Sequence, residues 1–285
     1  RRMSSPKPIL GMIAGNGILP VIVANSAKKA GFRVCCVGLR DQYVPELPGV
    51  CDEFSIAGIA KVGRWIRLLK RWGAEDTVMV GGVGKTVMHR HFSVLRLMPD
   101  LTSLLLWYRR LRHDRRDATV LAAIADELYK SGVTLIDSTT HIPEHLAQSG
   151  TLGTVQPSTM QAADIAFGWP LLTQSASLHI GQCIAVRNGD VLAVEAIEGT
   201  EALIARAGSL CKKNGWTLLK TAADDHDMRA DVPSIGVKTI SQVAAAGCTC
   251  IAVGSGRVIL LDAPAVIHAA NSAGVALVGV EETRA

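Results

Sequence analysis

The sequence predicts an α/β protein of two domains: an N-terminal Rossmann-like βαβ parallel-sheet domain and a C-terminal mixed α/β domain. Three observations carry that reading. Short apolar runs alternate with helix-periodic stretches along most of the 285 residues. The first unit is explicit, with an apolar strand, a glycine turn, a helix opened near a proline and a second apolar strand. The charge also divides: residues 1–137 carry 21 Lys+Arg against 12 Asp+Glu, and residues 138–285 carry 9 against 13. The domains are set at 8–137 and 142–283, with 138–141 as the linker.

Bulk composition narrows the classes. Hydrophobic residues are 48% and charged ones 19%, an ordinary globular balance. No apolar run reaches the roughly 18 residues of a membrane span. The start, RRMSSPKP, lacks an apolar signal core, so a cytosolic setting is expected. Seven cysteines without a CxxC pair fit buried, reduced thiols. A basic half suits an anionic ligand or membrane face, and an acidic half suits a metal. Nucleic acid is excluded, because aromatics are 4% and none interleave with basic residues as stacking platforms do.

Taken in order, 8–14 is the first strand, followed by Gly15-Asn16-Gly17. Ile18, Leu19 and Pro20 open a helix to Ala30, closed by Lys28, Lys29 and Gly31. A glycine turn at a helix N-terminus can hold phosphate on free backbone N–H groups. It is not GxGxxG, since position 20 is Pro20. That argues against a nicotinamide oxidoreductase. A strand at 32–39 and a helix at 59–72 follow. The next strand, 77–80, ends in Gly81-Gly82-Val83-Gly84-Lys85-Thr86. This is not a Walker A loop, because position 79 is Met79. It is a second glycine-rich strand end on the edge where open α/β sheets bind ligands, with Lys85 as a candidate phosphate contact. Residues 92–112 form an apolar stretch split by Pro99, with arginines 109, 110 and 112 at its end. It reads either as a core helix with a solvated tail or as a surface against anionic lipid or an acyl chain. A helix at 118–130 and a strand at 133–136 close the first domain.

In the second domain, short helices are expected near 144–148 and 161–168. A β-hairpin spans 180–187 and 191–197 around Asn188-Gly189. Thr200 should then cap a helix whose apolar face is Leu203, Ile204, Ala207 and Leu210. Glu195 lies in an apolar strand, where a carboxylate must be paired or bound to a metal. With Glu198 and Gln182 it forms one polar group. After Gly236, helices are expected at 239–246 and 263–273, with strands at 249–253, 258–261 and 275–280.

Asp224–Gly236, DDHDMRADVPSIG, is the densest candidate, with four aspartates, a histidine and an arginine in eight residues. Clustered carboxylates raise one another's pKa unless a cation or hydrogen bonds compensate. Val232 before Pro233 favours extended backbone, which would set Asp227, Arg229 and Asp231 on one face. Two acids flanking an arginine there can bind a divalent metal and grip a phosphate, and a solvated acidic loop is the other reading of such a cluster.

These residues carry a resemblance. IAGNGILP at 13–20, GQ at 181–182, AVEAIEGTEALIARAG at 193–208 and DMRADVPSIGVKTI at 227–240 resemble the LpxI-type UDP-2,3-diacylglucosamine pyrophosphatases. The similarity runs through both domains in order, over about 9–282. It implies hydrolysis of UDP-diacylglucosamine to lipid X and UMP in lipid A synthesis of Gram-negative bacteria. It also implies a divalent cation such as Mg²⁺, peripheral attachment at the inner face of the inner membrane, and a homodimer that exchanges domains. The family's catalytic aspartate, in DxRxDxPxxG, maps onto Asp231. Asp227 and Arg229 belong to the same motif, and Gly199 and Thr200 join the substrate-binding set. The metal ligands are expected among Asp231, Asp227, Glu195 and Glu198. The chain departs from the family pattern at His179 and Glu201, where the family has aspartates. It departs also at Ala223, where a lysine is usual, and at Asp224, where the family has proline. A binding member without turnover is the alternative these departures leave open.

Overall fold

The computed structural model describes residues 7–82, 98–112, 117–211, 215–230 and 232–281. Two compact units divide it. The first comprises residues up to Ile142 together with the described part of 227–231, and the second comprises Pro143–His226 and the chain from Val232 onward.

In the first unit, β1 (Ile9–Ala14), β2 (Arg33–Leu39), β3 (Glu53–Ala57), β4 (Asp76–Val80) and β5 (Thr134–Leu135) form one sheet in the order β3-β2-β1-β4-β5. Every neighbouring pair is parallel. The sequence order reverses between β1 and β4, and such a switch opens a crevice at the carboxyl ends of the strands. α1 (Leu19–Lys29), α2 (Leu47–Val50), α3 (Val62–Trp72) and α5 (Asp117–Lys130) supply the crossovers and covering faces. Trp65, Leu69 and Leu128 pack on Ile13 and Val37 in the core. Strand β3 escapes the sequence reading, because Glu53 and Ser55 interrupt its apolar run at the sheet edge.

α4 (Leu101–Leu106) continues as a π-helical turn over Trp107–Leu111. Its cap, Asp100, also caps a neighbour. Asp100 Oδ1 accepts from Ser103 N–H, while Oδ2 accepts from Arg64 N–H at the start of α3, at 3.0 Å each. Ser103 Oγ takes Val62 N–H at 3.0 Å. Two orphan donors of α3 are thus satisfied from α4, since Lys61 offers no side-chain cap. Held by these polar bonds, α4 leaves Leu101 (72%), Leu104, Leu105, Trp107 and Tyr108 (61%) exposed. Residues 92–97 lie outside the described residues, and over 98–112 the chain does not bury an apolar face as a core helix would.

In the second unit the sheet order is β6-β13-β11-β9-β7-β8. β9 (Trp216–Lys220), β11 (Cys248–Gly254) and β13 (Ala276–Val280) run parallel, while β6 (Gly150–Thr151) and the hairpin of β7 (Cys183–Arg187) and β8 (Asp190–Val194) add antiparallel edges. β10 (Ser234–Ile235) and β12 (Ile259–Leu260) make a separate two-stranded pair. Alternating residues split between two faces. Cys183, Ala185, Leu218 and Ile251 meet α7 (Thr200–Leu210), α8 (Val237–Ala245) and α9 (Ala263–Ser272). Ile184, Val186, Leu219 and Ala252 meet Leu172 of α6 (Thr159–Ser177).

Several expectations need correction here. α6 runs 19 residues, well past the short helix expected near 161–168 and with Pro170 inside it. A Cβ on Gly168 would meet Val186 at 2.8 Å, so glycine there serves close helix–sheet contact. Central β9 was missed altogether; buried on both faces, it shows no alternation. β8 ends at Val194 rather than Ile197. Thr200 is not a cap: Gly199, at φ +83°, holds that position, and the Thr200 hydroxyl turns to Glu195.

Candidate active site

Two sites emerge, one in each unit, built by different means. At the carboxyl edge of the first sheet the backbone does the building. Gly15 N–H donates to Val80 carbonyl at 2.8 Å, and Asn16 and Gly82 exchange N–H···O bonds at 2.7 and 3.1 Å. The turn after β1 is thereby zipped to the turn after β4. A Cβ on Gly15 would lie 2.5 Å from the Gly82 carbonyl oxygen, and one on Gly81, at φ +88°, 2.7 Å from that of Asn16. Gly17 is different: its φ is +94°, but nothing lies within 4 Å. Its N–H donates to the Asn16 side chain, Oδ1, at 2.8 Å.

This changes the expected phosphate cradle. Gly15 and Asn16 spend their N–H groups on the strand ends, so the donors left by helix geometry are those of Ile18 and Leu19 in the first turn of α1. Pro20 has none. Lys85 lies outside the described residues.

The segment that begins at Asp227 lies at the same edge. Beyond β5, Ser138 donates to Met228 carbonyl through its N–H at 3.0 Å and its hydroxyl at 2.8 Å. Asp227–Ala230 is not extended: Ala230 N–H returns to Asp227 carbonyl at 3.3 Å. Asp227 and Arg229 therefore do not share a strand face. Asp227 Oδ1 accepts from Arg229 N–H at 3.1 Å and Nε at 2.8 Å, and Oδ2 from Nη2 at 2.6 Å. This bidentate pair raises the Arg229 pKa above its ordinary value. Asp231 lies outside the described residues.

In the second unit, side chains build the site. Glu195, 8% exposed, accepts from the Thr200 hydroxyl at 2.9 Å and from Gln182 N–H at 3.2 Å. Lys220, 7% exposed at the end of β9, donates to Thr200 Oγ1 at 3.4 Å and to Ser234 carbonyl at 3.0 Å. Gly181 sits against the Glu195 carbonyl, leaving no room for a Cβ. Burial first, then nearby Glu195, hold the Cys183 thiol up at about 12. An open pocket of about 420 Å³ lies alongside, lined by Glu198, Gly199, Thr200, Glu201, Lys220 and Gln242 among others. Glu198 is bound to Arg206 at 2.9 Å and to Ala196 N–H at 3.1 Å. Glu201 pairs with Lys238 at 2.6 Å, and that bond chiefly lowers its pKa.

The positions that depart from the family pattern have local explanations. His179, exposed at φ 55°, follows α6; its N–H returns to Ala176 carbonyl and that of Ile180 to Ser175. A left-handed residue closing a helix is a place that aspartate, asparagine and histidine all tolerate. Ala223 carbonyl accepts from Arg257 Nη1 at 2.7 Å, and Arg257 also pairs with Asp224 at 2.6 Å.

No group of three or more His, Cys, Asp or Glu among the described residues could hold a metal ion. Glu195 and Glu198 have protein partners on both carboxylate oxygens, and Asp227 is committed to Arg229. The described carboxylates therefore do not make a cation site. Lys220 is the residue that sequence reasoning missed, although an apolar run ending in a lysine was visible at 216–220.

Comparison with known proteins bears on both sites together. Residues 9–145 match the LpxI N-terminal domain, and residues 148–278 match the LpxI C-terminal domain. The chain belongs to the LpxI family. A curated relative, UDP-2,3-diacylglucosamine pyrophosphatase LpxI of Caulobacter vibrioides, is 32% identical over 282 residues, spanning 95% of this chain and 97% of that protein. Among solved structures, the biotin carboxylase domain of Hydrogenobacter thermophilus 2-oxoglutarate carboxylase aligns at TM-score 0.26 and 11% identity, over 73% of this LpxI chain and 42% of that one. The biotin carboxylase subunit of pyruvate carboxylase aligns at 0.25 and 14%, over 66% and 38%.

Proposed function

We propose that this LpxI-family chain hydrolyses the diphosphate of UDP-2,3-diacylglucosamine, releasing UMP and the diacylated sugar phosphate in lipid A synthesis. The carrying observation is the convergence of the glycine turns of β1 and β4 and the Asp227–Ala230 turn on one sheet edge, in a chain matching both LpxI domains. The N–H groups that open α1, with its positive dipole end, suit the substrate's phosphates. Arg229, oriented by Asp227, is preorganised to balance charge on a phosphoryl oxygen. Asp231 takes the general-base role that its motif position implies, drawing the proton from the attacking water.

The resemblance brings a divalent cation, whose chemistry would be charge neutralisation on the phosphoryl oxygens. The described carboxylates form no group of three that could hold it. Turnover with Mg²⁺ and its loss on chelation is the expected pattern; turnover indifferent to chelator would remove the metal from the reading.

The exposed face of α4 supports attachment to a membrane surface at the cytoplasmic side. No helix among the described residues is long and apolar enough to cross a membrane. Leu101, Leu104, Leu105, Trp107 and Tyr108 face solvent, with Arg109, Arg110 and Arg112 following. Apolar insertion beside arginines suits an anionic bilayer. A homodimer with exchanged domains belongs to the same reading, and light scattering at several concentrations checks it. Incubation with UDP-2,3-diacylglucosamine and Mg²⁺, with UMP as the readout, tests the reaction itself. Tight substrate binding without UMP would favour the non-catalytic alternative.

A further inference from the structure

Two of the motifs that mark the second unit, 193–200 and 232–236, meet at one side chain that belongs to neither, and Gly181-Gln182 joins them through Glu195. We propose that Lys220 is a positioning residue for the reaction, tying the segment that follows Asp231 to the Glu195–Thr200 network. The inference rests on the hydrolase reading above and deepens it.

Ser234, three residues after Asp231 in the chain, offers its carbonyl to Lys220 Nζ at 3.0 Å. The same ammonium reaches Thr200 Oγ1, whose hydroxyl proton goes to Glu195 Oε1 at 2.9 Å. Glu195 Oε2 in turn holds Gln182 N–H, and Gln182 carbonyl accepts from Thr221 N–H at 3.1 Å, next to Lys220 itself. The relay closes on its origin. An ammonium this buried is costly without compensation, and a carboxylate one hydroxyl away supplies it. β9 is central in its sheet, between β11 and β7, so the lysine stem has a rigid base. Beyond Ser234, β10 pairs with β12, with Ile259 N–H on Pro233 carbonyl at 2.8 Å. That pair has only two residues per strand, and Lys220 fastens its β10 strand to the large sheet's network. Ser234 lies three residues from Asp231 in the chain, and displacement of a reacting group by near 1 Å can cost about 10²-fold in rate.

The test uses the full chain carrying Lys220→Met, which keeps the aliphatic stem and removes the charge. Two readouts are taken together: steady-state kinetics on UDP-2,3-diacylglucosamine, and amide hydrogen exchange at 232–237 against β11. The expected result is a fall in kcat of about 10- to 100-fold with little change in KM, and faster exchange confined to 232–237. Lys220→Arg should restore part of the rate. Unchanged kcat in a folded Lys220→Met protein, or exchange that rises equally across the second unit, overturns the proposal. If Lys220→Met does not fold, Thr200→Val removes a link of the same relay and is read in the same two ways. Absence of UMP from the unsubstituted protein would count against the hydrolase reading alone, since the exchange measurement needs no turnover.

Discussion

The two candidate sites make a useful contrast. At the edge of the first sheet, the turns after β1 and β4 are joined by backbone bonds, and two glycines are required because carbonyl oxygens occupy the space of their side chains. In the second unit the joining is done by Glu195, Thr200 and Lys220, through their side chains. A site made of backbone is indifferent to losing polar side chains but intolerant of a Cβ. A site made of buried polar side chains has the opposite sensitivity, because each removal leaves a partner unsatisfied.

The sharpest way to break that contrast is at Gly81. Gly81→Val adds crowding against Asn16 carbonyl, worth about 1–3 kcal/mol, to a left-handed backbone cost of about 1–2 kcal/mol. Thermal unfolding should show a large loss of stability, and wild-type melting would mean the two turns are not locked together. Glu195→Ala comes next. It strands the Thr200 hydroxyl and Gln182 N–H at about 1–3 kcal/mol, with Glu195→Gln expected to recover part. A neutral Glu195→Ala would show that water can replace the network. Gly17→Ala should cost less than Gly81→Val, since only the φ of +94° opposes it and the space is open. Denaturant melts ranking Gly17→Ala above Gly81→Val in damage would reverse the assignment of which glycine is structural. The smallest effect concerns α4. Binding to anionic vesicles should weaken with salt, because exposed charges are screened beyond about 10 Å at 0.1 M. Arg109→Gln with Arg112→Gln should weaken it further, and binding indifferent to both would leave α4 without a lipid role.

The same contrast decides how much was legible in advance. The βαβ start, the Asn188-Gly189 hairpin and the late helices could be read because glycine, proline and periodicity punctuate them locally. The parallel first sheet followed from that alternation. β9 could not be separated by periodicity, since Trp216–Lys220 is buried on both faces and its partners β7 and β11 lie far away in sequence. The helix expected near 161–168 came out too short for the converse reason: packing on the sheet carries it through Gly168 and Pro170 despite their local tendency to end a helix. At the site, residue types singled out segments but could not give their pairings. Asp227 and Arg229 were read as parallel members of an extended face, whereas a tight turn lets them bind one another. The cost of burying Glu195 was foreseen, but a hydroxyl and a backbone N–H meet that cost within the protein. Lys220 escaped notice because its importance lies in two contacts distant in sequence, to Thr200 and Ser234.

The central claim is hydrolysis dependent on Asp231. The most direct test is kcat for UMP release from UDP-2,3-diacylglucosamine by the Asp231→Asn protein, with folding and substrate binding measured alongside. Asn keeps the shape and removes the charge, so the expected result is a folded protein that still binds substrate and has lost at least about 10²-fold in kcat. Retention of more than about a tenth of kcat would contradict the account.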